Sequence, residues 1–177
     1  MSSIQEWCDG AGGVRRFGLA LVRDDRFVCD DVCAAALVDQ LFRQASLTLV
    51  RERRADRRLT RARAFAQFIR LYRRHVRRLA ADEGDGGWAE GSTPPRRANG
   101  SPTAAVRALP LELRETLLLV VLAGLTHAEA AEALDISLAV AVRRLARARA
   151  RVAAHMAAGS AQEPAAWPRA AHLRIVK

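Results

Sequence analysis

Lysine is nearly missing from this chain. Of its 29 Lys+Arg residues only Lys177 is a lysine, so its positive charge is carried by guanidinium groups. Aromatic residues make up 5% of the sequence, which leaves Leu, Val, Ala and Phe to build a core. Cysteine is scarce and odd in number: Cys8, Cys29 and Cys33 make no closed disulfide framework and fit a reducing compartment. Cys29 and Cys33 stand one helical turn apart with no histidine near them in sequence, which favours small buried residues over a metal site. His75, His127, His155 and His172 are scattered without metal spacing, and no P-loop, nucleotide-binding glycine fingerprint or HExxH motif is present. The longest apolar run, Leu117–Leu125, falls far short of the ~20 residues that span a bilayer. The N-terminus holds Glu6 and Asp9 and has no apolar core of a signal peptide. The expectation is a cytoplasmic protein without membrane insertion, with no catalytic residues, no cofactor and no metal.

What the chain does have is positive charge. Its net charge is +10 and its pI about 11.2, a balance that suits a polyanionic partner or an acidic protein surface. Arginine codons are GC-rich, so the placement of the charge has to carry the argument.

Hydrophobic periodicity predicts helices and no strands. Val14, Phe17 and Leu21 have helical spacing, as do Val28, Val32, Ala35 and Val38–Phe42. Gly12-Gly13 reads as an N-terminal turn, and residues 44–59, polar and basic, as a loop. Thr60 can cap a helix with an apolar stripe at Phe65, Phe68, Ile69, Tyr72, Val76 and Leu79. Residues 51–78 carry twelve arginines against Glu52 and Asp56, which suits phosphate contact or a solvated helix face. Residues 82–103, DEGDGGWAEGSTPPRRANGSPT, read as a flexible linker containing the isolated Trp88. The expected organisation is an all-α chain: a helical domain over 11–81, the linker over 82–103, a second helical domain over 104–158 and a loose tail over 159–177. In the second domain Pro110 suits a first helical turn, Leu113, Leu117 and Val120/Val121 form a stripe, and Gly124 is a helix stop.

The most informative stretch is LTHAEAAEALDISLAVAVRRLARARAR at 125–151. Thr126 and Glu129 have the spacing of a capping box. Asp135-Ile136-Ser137 then breaks the helix, with Ser137 placed to cap the next one and Ile136 to fill the corner. A short helix, a tight turn and a longer helix is the helix–turn–helix plan. On the second helix Leu138, Ala141, Leu145, Ala148 and Val152 share one side, while Val140, Arg143, Arg144, Arg147 and Arg151 cluster on another and Arg149 lies apart. No acid interrupts 137–151. An arginine face opposite an apolar one suits the major groove, where Arg contacts phosphates and guanine edges. The candidate DNA contacts here are Ser137, Val140, Arg143, Arg144, Arg147 and Arg151.

Leu109-Pro110, Arg114-Glu115, the apolar run to Gly124, then LTHAEAAEALDIS and RLARARARV resemble region four of the extracytoplasmic-function sigma factors of bacterial RNA polymerase. Upstream, FGLALVRDDRFVCDDV resembles the acidic helix of region two that docks on the polymerase clamp, and RARAFAQFIRLYRRHVRR the helix that opens the minus-ten element. The resemblance implies promoter DNA and core RNA polymerase as partners and an anti-sigma factor as regulator. It implies polymerase contact at Asp30 and Asp31, contact with the melted element at Arg70, Arg73, Arg74 and Arg77, and duplex contact in region four. The chain departs from the family at Ala34-Ala35, where a polar Gln-Glu pair is usual, at Phe65 for Trp and Tyr72 for Asn, and at Ala139, Val140 and Val142 for Gly, Thr and Lys. A second function stays open on those departures: a sigma-like protein that does not transcribe but sequesters an anti-sigma factor. Phe65, Phe68 and Tyr72 can stack a flipped base or pack in the core, and core packing suits at least two of them.

Overall fold

Three phenylalanines fix the N-terminal half. Phe17 meets Phe65 and Phe68 edge-on, with ring centroids 5.4 and 6.2 Å apart, a geometry favoured by the ring quadrupoles. All three are fully buried. They hold together α1 (Ser2–Val22), α2 (Asp31–Arg54) and α3 (Arg61–Glu83). Gly18 of α1 allows this approach: a Cβ there would stand 2.5 Å from Cζ of Phe68. The computed structural model describes residues 2–23, 30–54, 60–83 and 101–160, and among them the regular structure is all α-helix. The remaining helices are α4 (Pro102–Arg107), α5 (Leu111–Val121), α6 (His127–Leu134) and α7 (Leu138–Ser160).

Helix starts follow local chemistry. The Asp30 carboxylate accepts the Cys33 N–H at 2.7 Å, and the Thr60 hydroxyl accepts the Arg63 N–H at 3.2 Å. Ser101 caps α4, with Pro102 in its first turn, and Pro110 stands at the N-cap of α5. Beyond α5, Gly124 takes φ +65°, the left-handed conformation that glycine adopts without strain.

Several sequence expectations are corrected. The loop expected at 44–59 is helix as far as Arg54. Its polar side chains hid a stripe of Val38, Leu41, Ala45 and Leu49, all buried, while Ser46 and Thr48 donate to the carbonyls of Phe42 and Gln44, so their hydroxyls are satisfied within the helix. Gly12-Gly13 lies inside α1 instead of forming a turn. The face of α2 is rotated from the one read in sequence: Val32 is 76% exposed, Ala35 is exposed and Ala34 is buried. Cys33 is exposed, not a buried small residue. Val121 and Leu138 are exposed, outside the stripes assigned to them. Cys29, Trp88, most of the expected linker and the tail beyond Ser160 lie outside the described residues.

The buried side chains of α1–α3 continue into Leu118 and Leu119 of α5, Ala123, Leu125, and Ala130, Ala133 and Leu134 of α6. α3 packs on α6 and α1 on α5. Polar contacts reinforce the seam: Thr60 Oγ1 donates to Glu132 Oε1 at 3.3 Å, and the Arg61 guanidinium donates to the Ala123 carbonyl. A second cluster of Leu109, Leu113, Leu117, Leu145 and Ala148 joins α5 to α7. That cluster sets the rotation of α7 and so decides which of its residues face outward.

Candidate nucleic-acid interface

The α6–α7 pair forms from its caps inward. At the start of α6 the Thr126 N–H donates to Glu129 Oε2 at 2.8 Å, and the Glu129 N–H returns to Thr126 Oγ1 at 3.2 Å, a complete capping box. Hydrogen bonds from the Thr126 backbone and hydroxyl hold the Glu129 carboxyl below its ordinary pKa. α6 ends at Asp135, whose φ of 56° is left-handed. An aspartate tolerates this conformation better than most side chains. The Ile136 N–H closes on the Ala131 carbonyl at 3.1 Å, and the Ile136 side chain packs against the main core. Ser137 then opens α7, its hydroxyl accepting the Val140 N–H at 3.4 Å. The turn read in sequence at 135–137 is present, and it presents a 23-residue helix containing no acid.

α7 buries Ala141, Leu145 and Ala148. Arg143, Arg147 and Arg151 are exposed along one flank and Ser137 is exposed at its start, while Val140 is half-buried. Arg149 is also exposed, about 160° around the helix from Arg147 at 3.6 residues per turn. Arg144 is drawn away from the outward face: its guanidinium pairs with Glu112 of α5 at 2.7 Å.

The arginines of α3 divide in the same way. Arg70, Arg74 and Arg77 are exposed and, with Arg73, Arg78 and Ala81, line a shallow depression of about 430 Å³. Arg73 instead reaches Glu115 of α5 with two donors, Nε to Oε1 at 3.0 Å and Nη2 to Oε2 at 2.5 Å. Glu115 is 0% exposed. Its bond to Arg73 raises the guanidinium's already high pKa, against the opposing effect of burial. Phe65, Phe68 and Tyr72 all turn inward and are buried, so in this conformation none of the three rings is available to stack a base.

Asp30 and Asp31 stand at the exposed start of α2. Both carboxyls are held below the usual carboxylate range, Asp30 by the Cys33 N–H it caps and Asp31 by its hydrogen bond from Arg23. Each is therefore engaged within the chain. Sequence reasoning missed the glutamate partners. Glu115 stands inside the apolar stretch LELRETLLL, and an acid at a buried register position is the signal that could have pointed to it.

Residues 103–152 match the family model for sigma-70, region 4, a span that runs from α4 to the middle of α7. No curated protein sequence matches the chain. Among solved structures, the co-crystal structure of the sigma factor RpoE in complex with the anti-sigma factor NepR from Bartonella quintana shares the fold with a TM-score of 0.65. The two are 14% identical, and the match covers 86% of this chain and 95% of that one.

Proposed function

We propose that this chain, whose residues 103–152 match the family model for sigma-70, region 4, is a sigma factor of the extracytoplasmic-function type that directs RNA polymerase to promoters and supports initiation. The observation that carries this reading is the exposed arginine flank of α7, Arg143, Arg147 and Arg151, on the second helix of a helix–turn–helix. A helix that size fits the major groove, and guanidinium groups on its flank neutralise phosphates while its N-terminal turns meet base edges. Arg70, Arg74 and Arg77 offer a second basic surface, suited to a melted strand. Arg73 and Arg144 join them only on leaving Glu115 and Glu112. The two helical units, 11–81 and 104–158, share a core across the α3–α6 and α1–α5 packing, and opening of that packing would let the two basic surfaces address separate promoter elements. The reading calls for core RNA polymerase and promoter DNA as partners, and for no catalytic residue or cofactor of the chain's own.

One observation favours a second reading. Asp30 is engaged as a helix cap and Asp31 in a pair with Arg23, and these are the acids on which polymerase contact would rest. A chain with weakened polymerase contact can still bind an anti-sigma factor, the partner seen with the related fold. In-vitro transcription with core polymerase tests both. Run-off product from a promoter template supports the first reading. Tight binding to an anti-sigma factor with no product supports the second.

A further inference from the structure

The opening of α7 exposes carbon. Leu138 is 51% and Val142 43% exposed, and Ala139 between them is exposed as well. Ser137 is the one polar side chain from 137 to 142; its oxygen accepts the Val140 N–H, and it stands before the apolar residues at the very start of the helix. At about 100° per residue, Leu138 and Val142 lie on one flank, Ala139, Ala146 and Arg143 on the outward ridge, and Arg147 and Arg151 round to the other side. Guanidinium groups therefore run along one side of the strip, which suits a polyanionic duplex more than a wholly apolar partner.

The N-terminal turns of such a helix are the part that meets base edges. Guanine, adenine and cytosine are read in the major groove through hydrogen bonds, and the side chains of Leu138, Ala139 and Val142 have no group to make them. Packed against those edges, it would strip water from donors and acceptors and return nothing. Thymine alone presents a methyl group there, and carbon packed on that methyl is favourable. We propose that Leu138, Ala139 and Val142 read thymine through its 5-methyl group, which makes Leu138 and Val142 specificity-determining residues. The proposal rests on the reading of α7 as a DNA-binding helix and adds the base that its first two turns prefer.

The experiment replaces one methyl at a time. Duplexes are selected from a random pool by the full chain, then resynthesised with deoxyuridine in place of each thymidine, a change that removes the methyl and leaves every hydrogen-bonding group. Affinity should fall about fourfold for each contacted methyl, the equivalent of one buried methylene, at one or a few adjacent positions. The Leu138→Ala/Val142→Ala variant should lose that thymine–uracil difference while keeping its helical circular dichroism and melting temperature, since both side chains are half outside the fold. Equal binding to all the uracil duplexes overturns the proposal with DNA binding intact, as does a thymine–uracil ratio unchanged in the double variant. Failure to retain any duplex overturns the underlying DNA reading as well.

Discussion

Arg73 of α3 and Glu115 of α5 form a two-point ion pair across the seam between the N- and C-terminal halves, with the glutamate fully shut off from solvent and the arginine side chain 31% exposed. The asymmetry of burial makes the two partners unequal. Arg73→Ala leaves a carboxylate buried without a cation and should destabilise the chain by about 3–5 kcal/mol. Arg73→Ala/Glu115→Leu removes the stranded charge and should recover most of that loss. Urea unfolding of the two variants checks it, and equal losses would show that the pair is not buried in solution.

Phe65→Ala should lower stability by roughly 3–5 kcal/mol, because the ring is fully enclosed and meets Phe17 edge-on. Gly18→Ala approaches the same cluster from the other side. Its Cβ would lie 2.5 Å from Phe68, so it should destabilise by about 1–3 kcal/mol through overpacking. Thermal melts measure both. A Phe65→Ala protein that keeps its melting temperature but loses promoter opening would mean that the ring works at the surface.

Much of this was legible in the sequence because the signals were local. The capping box at Thr126 and Glu129, the break at 135–137 and the apolar stripe of α3 each occupy a few consecutive residues, and each appears where its chemistry put it. The arginines of α7 were legible as a face, but not Arg144's departure toward Glu112, because a pairing between distant helices leaves no periodic trace. The continuation of α2 through residues 44–54 was hidden for a different reason. Serine and threonine lower helix propensity on paper, yet here their hydroxyls return to the preceding turn, and burial of Ala45 and Leu49 outweighs the difference.

Salt dependence should separate the arginines of α7. Arg143→Ala and Arg147→Ala each remove one exposed cation of the outward flank and should lower the log–log salt slope of DNA binding by about one unit. Arg149 lies on the opposite flank, and Arg149→Ala should change the slope less. All three side chains are exposed, so the fold should survive. The measurement is affinity of the full chain for duplex DNA across a salt series. Three variants indistinguishable from the parent would remove α7 from the interface.

Acid should weaken the start of α6. The Glu129 carboxyl has its pKa lowered in the folded chain by hydrogen bonds from Thr126. Its contribution is thus fully present above the unfolded value, near 4.5, and is lost as pH falls through the lower folded value. Glu129→Gln should remove that part of the pH dependence, and Thr126→Ala should reduce stability by about 1 kcal/mol at neutral pH. Denaturation curves between neutral and acid pH report both. An acid limb unchanged in Glu129→Gln would assign it to other carboxylates.

The absence of lysine from α7 has a consequence for control. Every fixed cation on that helix is a guanidinium, which stays protonated throughout the range in which proteins remain folded. Acetylation, which silences an ammonium group, has no target there. Neither a shift in pH nor an acyl donor can therefore remove the charge of these arginines. Occupancy can still silence this surface: ionic strength, or another molecule that reaches the same arginines first.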